Sequence, residues 1–330
     1  MSDAALLAEV TRGDILESVH RGHAAIVGPG DELIASWGDP DRVILPRSSC
    51  KMIQALPLLE TGAGRDLDTT RLALACASHE GEPGHVAHVS RWLSDLGLDE
   101  NALLCGPEAS RDPEYRDRMI CDGTPPTRVH NNCSGKHTGF LMLARHLGAG
   151  PDYVALDHPV QAAVRAASEE VTGLASPGWG IDGCSAPNFA TTLRGLARAM
   201  AGFAGAAEGG DARQRAMVRL REAMMLHPEL VSGRLAECRK LMVAAPGRIV
   251  AKTGAEGVYT AIVPDSGIGI AVKIDDGAKR ASTAVIAALL VRVGAVSADD
   301  PGIAHLMAQP VPNRLGVNTG HVRPVAGLTG

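Results

Sequence analysis

Aromatic residues are scarce: three Phe, three Trp and three Tyr make up 3% of the 330-residue chain. Few platforms remain on which single-stranded nucleic acid could stack. Positive charge is not in excess either. A net charge of -5 excludes the basic footprint of a phosphate-backbone binder, so no nucleic-acid partner is expected. Long apolar runs are missing. The most apolar stretch, residues 281–296, is too short to span a bilayer and carries Arg292, so it predicts a buried helix and no membrane partner. The first residues lack a basic segment followed by an apolar run, which predicts no secretory signal. Disulfide patterning is absent as well. Cys50, Cys76, Cys105, Cys121, Cys133, Cys184 and Cys238 are odd in number and scattered, which fits a reducing, cytoplasmic compartment. Lysine is rare, with six among the 32 basic residues.

What remains is ordinary globular material, 45% hydrophobic and 21% charged. The first forty residues read as short strands, Leu7–Thr11, Leu16–His20, Ala24–Val27 and Leu33–Ser36, with turn signals at Arg12-Gly13, Arg21-Gly22 and Gly28-Pro29-Gly30-Asp31. Strands recur at Arg248–Ala251, Val258–Val263 and Gly269–Ile274, followed by a helix over about 278–293. The middle is mainly helical, with segments Met52–Leu59, His85–Leu96, Phe140–Leu147, Val160–Val171, Pro187–Ala201 and Arg213–Met225. Phe140, Leu143, Ala144 and Leu147 keep one helical face, and Gly148 stands where a helix would stop. An α+β architecture follows: an antiparallel sheet from the N- and C-terminal segments and a helical lobe from the middle. This reading makes residues 1–330 a single catalytic domain, with a sheet lobe of about 1–46 and 247–330 and a helical lobe of about 47–246.

Three motifs bear chemistry. Ser48-Ser49-Cys50-Lys51 is S-x-x-K, which on a helix brings the Ser48 hydroxyl near the Lys51 amine. A serine needs an adjacent base to attack, and a lysine serves only when burial or a nearby cation lowers its pKa from about 10.4. Alone, the motif equally describes a capped helix start with an exposed lysine. Lys252-Thr253-Gly254 at the end of a strand weighs against that bland reading, because S-x-x-K with a late K-T-G is the paired signature of serine β-lactamases and penicillin-binding proteins. No S-D-N is present, although Ser78 in Ala75-Cys76-Ala77-Ser78-His79-Glu80 offers a hydroxyl between the two amines. The third motif, His130-Asn131-Asn132-Cys133-Ser134-Gly135-Lys136-His137, fails as a phosphate loop because its first glycine and its Ser/Thr are missing. It leaves Cys133 and Lys136 one turn apart, which with Cys184 could hold a soft divalent metal such as zinc. Two buried structural cysteines are the alternative. Three of the six lysines fall inside these motifs, and lysine, unlike arginine, can be neutralised.

Taken in order, SSCKMIQALP, LACASHEGE, CGPE, HNNCSGKHTGFL, LDHPVQ, GIDGCSAPNFA and AKTGAEGVY resemble the bacterial L-asparaginase II family of the Rhizobium etli inducible type. The resemblance runs from about Val10 to Lys279. It implies a serine β-lactamase-like α+β fold, a homodimer, and hydrolysis of L-asparagine to L-aspartate and ammonia. It places two Ser–Lys tandems on Ser48/Lys51 and Ser78/Lys252, and a zinc site on Cys133, Lys136 and Cys184 with water completing the tetrahedron. Holding that lysine neutral costs about 4–5 kcal/mol, which the metal bond must supply. On this reading Ser48 attacks the side-chain amide with Lys51 as base, and Ser78 with Lys252 relays the proton to the leaving ammonia. The backbone N–H groups of Ser48 and Ala255 form the oxyanion hole. Charge complementarity offers Arg47, Lys252 or His137 for the substrate α-carboxylate and Asp182 or Glu80 for its ammonium. The competing readings are another serine amidohydrolase or esterase of the same fold, and a non-catalytic zinc-binding module.

Overall fold

The computed structural model describes residues 4–330. The chain opens with three strands, β1 (Ala5–Arg12), β2 (Ile15–Val27) and β3 (Leu33–Trp37), and a two-residue β4 (Val43–Ile44). A helical stretch follows, α1 (Lys51–Gln54), α2 (Leu56–Glu60), α3 (Thr69–Ala75), α4 (Pro83–Asp95), α5 (Pro113–Cys121), α6 (Ser134–His146) and α7 (Pro159–Thr172). Three short strands interrupt it, β5 (Trp179–Ile181), β6 (Pro187–Phe189) and β7 (Thr191–Thr192). Then come α8 (Leu193–Gly205), α9 (Ala212–Leu226), α10 (Pro228–Val231) and α11 (Glu237–Ala244). The C-terminal part holds β8 (Val250–Thr253), β9 (Val258–Val263), β10 (Ile268–Ile274), α12 (Lys279–Arg292), α13 (Pro301–Met307), β11 (Gln309–Pro312) and β12 (Asn318–Pro324).

The large antiparallel sheet has the order β11-β12-β1-β2-β10-β9-β8, with β3 also paired to β2. Strands from the two ends of the chain thus form one surface, and the α+β reading holds. Every residue of β9 is buried, so both of its faces are covered. Helix α8 packs on β2, β9 and β10, and α12 lies along β1, β9, β10 and β12. Among the described residues no helix is long and apolar enough to cross a membrane.

Four elements differ from the sequence reading. Arg21-Gly22 is no turn: β2 runs straight through it, leaving β1 and joining β10 there. Gly22 serves close approach, since a Cβ on it would sit 2.1 Å from the Lys273 carbonyl oxygen. The helix expected over Met52–Leu59 breaks at Ala55, because Pro57 has no N–H to continue the ladder and instead starts α2. The helix expected from Pro187 begins only at Leu193, after β6 has paired with β5. Strands β11 and β12 give little signal, because Pro310 and Pro312 are poor strand formers tolerated only at this edge. Gly148 does follow a helix end, with φ +63 after Leu147.

Candidate active site

Seven chain segments converge on one cleft of about 400 Å³. They are the 3-10 turn Arg47–Cys50 before α1, the segment after α3, residues 105–111 before α5, the start of α6, the β5–β6 hairpin, residues 277–279 at the start of α12 and the loop after β8. The last segment meets the first closely. Gly254 packs onto the Arg47–Cys50 turn, where a Cβ would lie 2.9 Å from the Pro46 carbonyl oxygen and 3.2 Å from the Ser49 nitrogen. The glycine of K-T-G is therefore a contact requirement between the first and last motifs.

Lys51 opens α1 and Lys252 lies on β8; each is only 1% exposed. Both amines bond one oxygen. Lys51 Nζ lies 2.9 Å and Lys252 Nζ 2.7 Å from Ser78 Oγ. Lys51 also donates to the Ala77 carbonyl and Lys252 to the Thr253 carbonyl at 3.0 Å. Burial and then the charge of Lys51 pull the Lys252 pKa down to about 7. Ser78 is fixed from behind. Its N–H bonds the Val231 carbonyl at 2.9 Å, and the next N–H, of His79, bonds that of Asn132 at 3.1 Å. The His79 ring, stacked on His85, meets Ser134 Oγ at 2.9 Å.

Ser48 lines the cleft beside Ser78, but its hydroxyl has no hydrogen-bond partner among the described residues. Lys51 begins α1 and its amine reaches across to the segment after α3, so Ser78 stands between the two amines as its motif suggested, and no hydrogen bond joins Lys51 to Ser48. The backbone N–H groups of Ser48 and Ala255 likewise carry no protein hydrogen bond among the described residues, and both residues line the cleft.

Arg47 has a left-handed backbone, φ +53, which costs a non-glycine residue about 1–2 kcal/mol. The buried Asn188 amide brackets it, accepting from the Arg47 N–H at 3.0 Å and donating to its carbonyl at 3.4 Å. The guanidinium reaches Asp182 Oδ1 through Nε at 3.0 Å and Nη2 at 2.8 Å. Burial works against the Asp182 charge, yet the bond from Arg47 and the nearby Lys136 hold its pKa below the usual range.

Cys133 and Cys184 line the cleft, and buried Lys136 stands behind them with its Nζ 3.1 Å from Cys184 Sγ. The Cys133 thiol donates to Asn132 Oδ1 at 2.7 Å, and the interaction between the two sulfurs pushes Cys133 up and Cys184 down. Burial depresses Lys136, but the two sulfurs outweigh it and its pKa rises. Two sulfurs and an amine meeting in one buried place fit a soft divalent ion. Among the described residues no group of three His, Cys, Asp or Glu side chains converges to hold a metal, so a third donor here has to be of another kind, such as the Lys136 amine.

Two candidates lie elsewhere. His137 is 0% exposed and its Nδ1 meets Tyr153 Oη at 2.9 Å, away from the cleft. Successive helix residues point about 100° apart, so with Lys136 turned to Cys184, His137 points into the core. The Glu80 carboxylate packs behind the wall, against Gly233. Sequence reasoning missed Glu108, Arg111, Thr253, Glu256 and Lys279 on the wall. Of these Glu108, Thr253 and Glu256 stood in recognised segments.

Residues 8–324 match the sequence profile of a family of amidohydrolases with a small-molecule substrate. That family is L-asparaginase II, and the chain belongs to it. No curated protein matches the chain. Among solved structures, a putative β-lactamase from Bacteroides dorei is 15% identical, with 77% of this chain and 84% of that one covered and a TM-score of 0.42. A β-lactamase/D-alanine carboxypeptidase from Pseudomonas syringae is 14% identical over 79% and 90%, with a TM-score of 0.44. A protein called Mglu is 14% identical over 79% of this chain and 61% of its own, with a TM-score of 0.43. These superpositions are partial, so the chemistry is read from this chain's own side chains.

Proposed function

We propose that the protein hydrolyses L-asparagine to L-aspartate and ammonia through an aspartyl ester on Ser48. The observation that carries this reading is the pair of buried lysines bonded to one serine oxygen at the cleft. Two buried cations at that distance repel, and the cheaper state at neutral pH has one amine neutral. Lys252, drawn down to about 7, is the neutral one and the base. Lys51 acts as a relay, a change from the role first expected of it.

The proton path balances. Ser78 gives its hydroxyl proton to Lys252 Nζ, Lys51 gives one to Ser78 Oγ, and Ser48, one turn before Lys51 and unpaired in the free enzyme, gives its own to Lys51 once substrate is seated. The Ser48 oxygen then adds to the amide carbon, and the resulting oxyanion takes the free N–H groups of Ser48 and Ala255. The C–N bond breaks as Lys252 returns a proton to the leaving nitrogen along the same chain. Water, deprotonated by the same path, cleaves the ester. Arg47 keeps Nη1 clear of Asp182 and receives the substrate α-carboxylate.

Cys133, Lys136 and Cys184 would hold a zinc ion, whose charge the two thiolates would balance and which would fix the shape of that side of the cleft. The seven thiols all stand free, which supports the cytoplasmic reading. The homodimer belongs to the same proposal and is expected in light scattering as twice the chain mass.

Mass spectrometry of enzyme quenched during turnover of L-asparagine tests the chemistry. An aspartyl adduct on the peptide carrying Ser48, absent in Ser48→Ala, is expected. An adduct on Ser78 instead would make the serine between the lysines the nucleophile and overturn the assignment.

A further inference from the structure

The cleft wall carries three carboxylates, and their surroundings differ. Asp182 is bonded by Arg47, and its Oδ1 also accepts from the Gly183 N–H at 2.8 Å. Glu108 is bonded by Arg111 at 2.7 Å, and its other oxygen accepts from the Asn132 N–H at 3.0 Å. Glu256 has neither kind of partner. Among the described residues no Lys, Arg or His lies within ion-pair distance of its carboxylate, and no hydrogen bond reaches it. The carboxylate is exposed, and Lys273, whose amine bonds the Glu256 backbone carbonyl, feels its charge without reaching ion-pair distance.

The backbone at Glu256 adds a second observation. Its φ is +58, in the left-handed region, where glycine would sit without cost. The following residue is a glycine with φ +69, so small residues are at hand in this loop. An acidic side chain here carries backbone strain that a glycine would not. The turn aims it into the cleft, over Gly277, where a Cβ would lie 2.9 Å from Glu256 Oε2. Strain of this kind gathers at binding sites, where the surrounding structure holds it.

We infer that Glu256 receives the α-ammonium of the substrate and thereby selects an α-amino acid over the same amide without that amine. The inference rests on the asparaginase reading above and replaces the earlier assignment of the ammonium to Asp182 or Glu80. Glu80 lies behind the wall, and the Asp182 charge is already met by Arg47. Ala255 connects the two functions of the loop: its N–H meets the oxyanion, and the next side chain holds the amine.

The test compares L-asparagine with succinamate, which lacks only the α-amine, in wild type, Glu256→Gln and Asp182→Asn. Losing a charge-assisted bond raises KM for L-asparagine in Glu256→Gln by about tenfold to about a hundredfold, with a smaller change in kcat. Succinamate turnover changes little, so discrimination between the two amides shrinks by the same factor. Unchanged discrimination in Glu256→Gln overturns the inference, as does a collapse confined to Asp182→Asn. Failure of the wild type to release ammonia from L-asparagine at all would instead remove the reading on which it rests. Glu256→Asp, which keeps the charge, is expected to recover part of the discrimination; a Glu256→Asp enzyme no better than Glu256→Gln counts against a charge role.

Discussion

Lys252 is the residue on which most depends. Its amine is a base only when neutral, and burial beside charged Lys51 puts its pKa at about 7. Activity therefore rises as pH climbs through 7 and is lost below it, as the amine takes up a proton and can no longer accept one. Lys252→Met is expected to lower kcat by about 10²–10⁴-fold, the usual worth of a positioned base. Lys252→Arg should fare no better, since a guanidinium keeps its proton. A pH–rate profile of the wild type checks the first point: a flat profile between pH 6 and 8 would contradict the base assignment.

At the scale of elements, the 3-10 turn Arg47–Cys50 holds the nucleophile, and two neighbours set its shape. Asn188 on β6 brackets the strained Arg47 backbone, and Gly254 packs flush against the turn. Asn188→Ala is expected to cut kcat by about tenfold while KM moves less, because it loosens the turn without touching substrate. Asn188→Asp, which retains the acceptor for the Arg47 N–H, should keep more of the rate. Gly254→Ala forces a methyl toward the Pro46 carbonyl and should cost about 1–3 kcal/mol, read as a lower Tm. Much of this region was legible in the sequence. S-x-x-K, the serine after α3 and K-T-G each named a residue that the fold brings together. Asn188 was invisible because its work is done on another residue's backbone, 141 positions away. Glu256 stood in a recognised segment, but nothing in its local sequence announces a left-handed turn. His137 was misplaced because a motif read as a string ignores the angle between successive helix residues. Lys51 turned to Ser78 because tertiary reach outweighed one-turn spacing.

For the whole molecule, the sheet is what assembles the site. Ser78 and Lys252 are 174 positions apart, and they meet because strands from both ends of the chain form one surface against which the helical middle closes. The cysteine–lysine cluster joins two more distant pieces, the start of α6 and the β5–β6 hairpin. If zinc is held there, purified protein should carry about one equivalent per chain, and Cys184→Ala should lose it, by elemental analysis. The same substitution should lower Tm, since the ion would tie the hairpin to α6. Protein that binds no zinc at added stoichiometric metal would contradict this.

The most direct measurement is ammonia release from L-asparagine by the wild type, Ser48→Ala and Lys252→Met under one set of conditions. Brisk release by the wild type alone, with both variants reduced by orders of magnitude, is the predicted result. A Lys252→Met enzyme that works as fast as the parent at pH 8 would show that the two amines around Ser78 are structural, and the mechanism would fall.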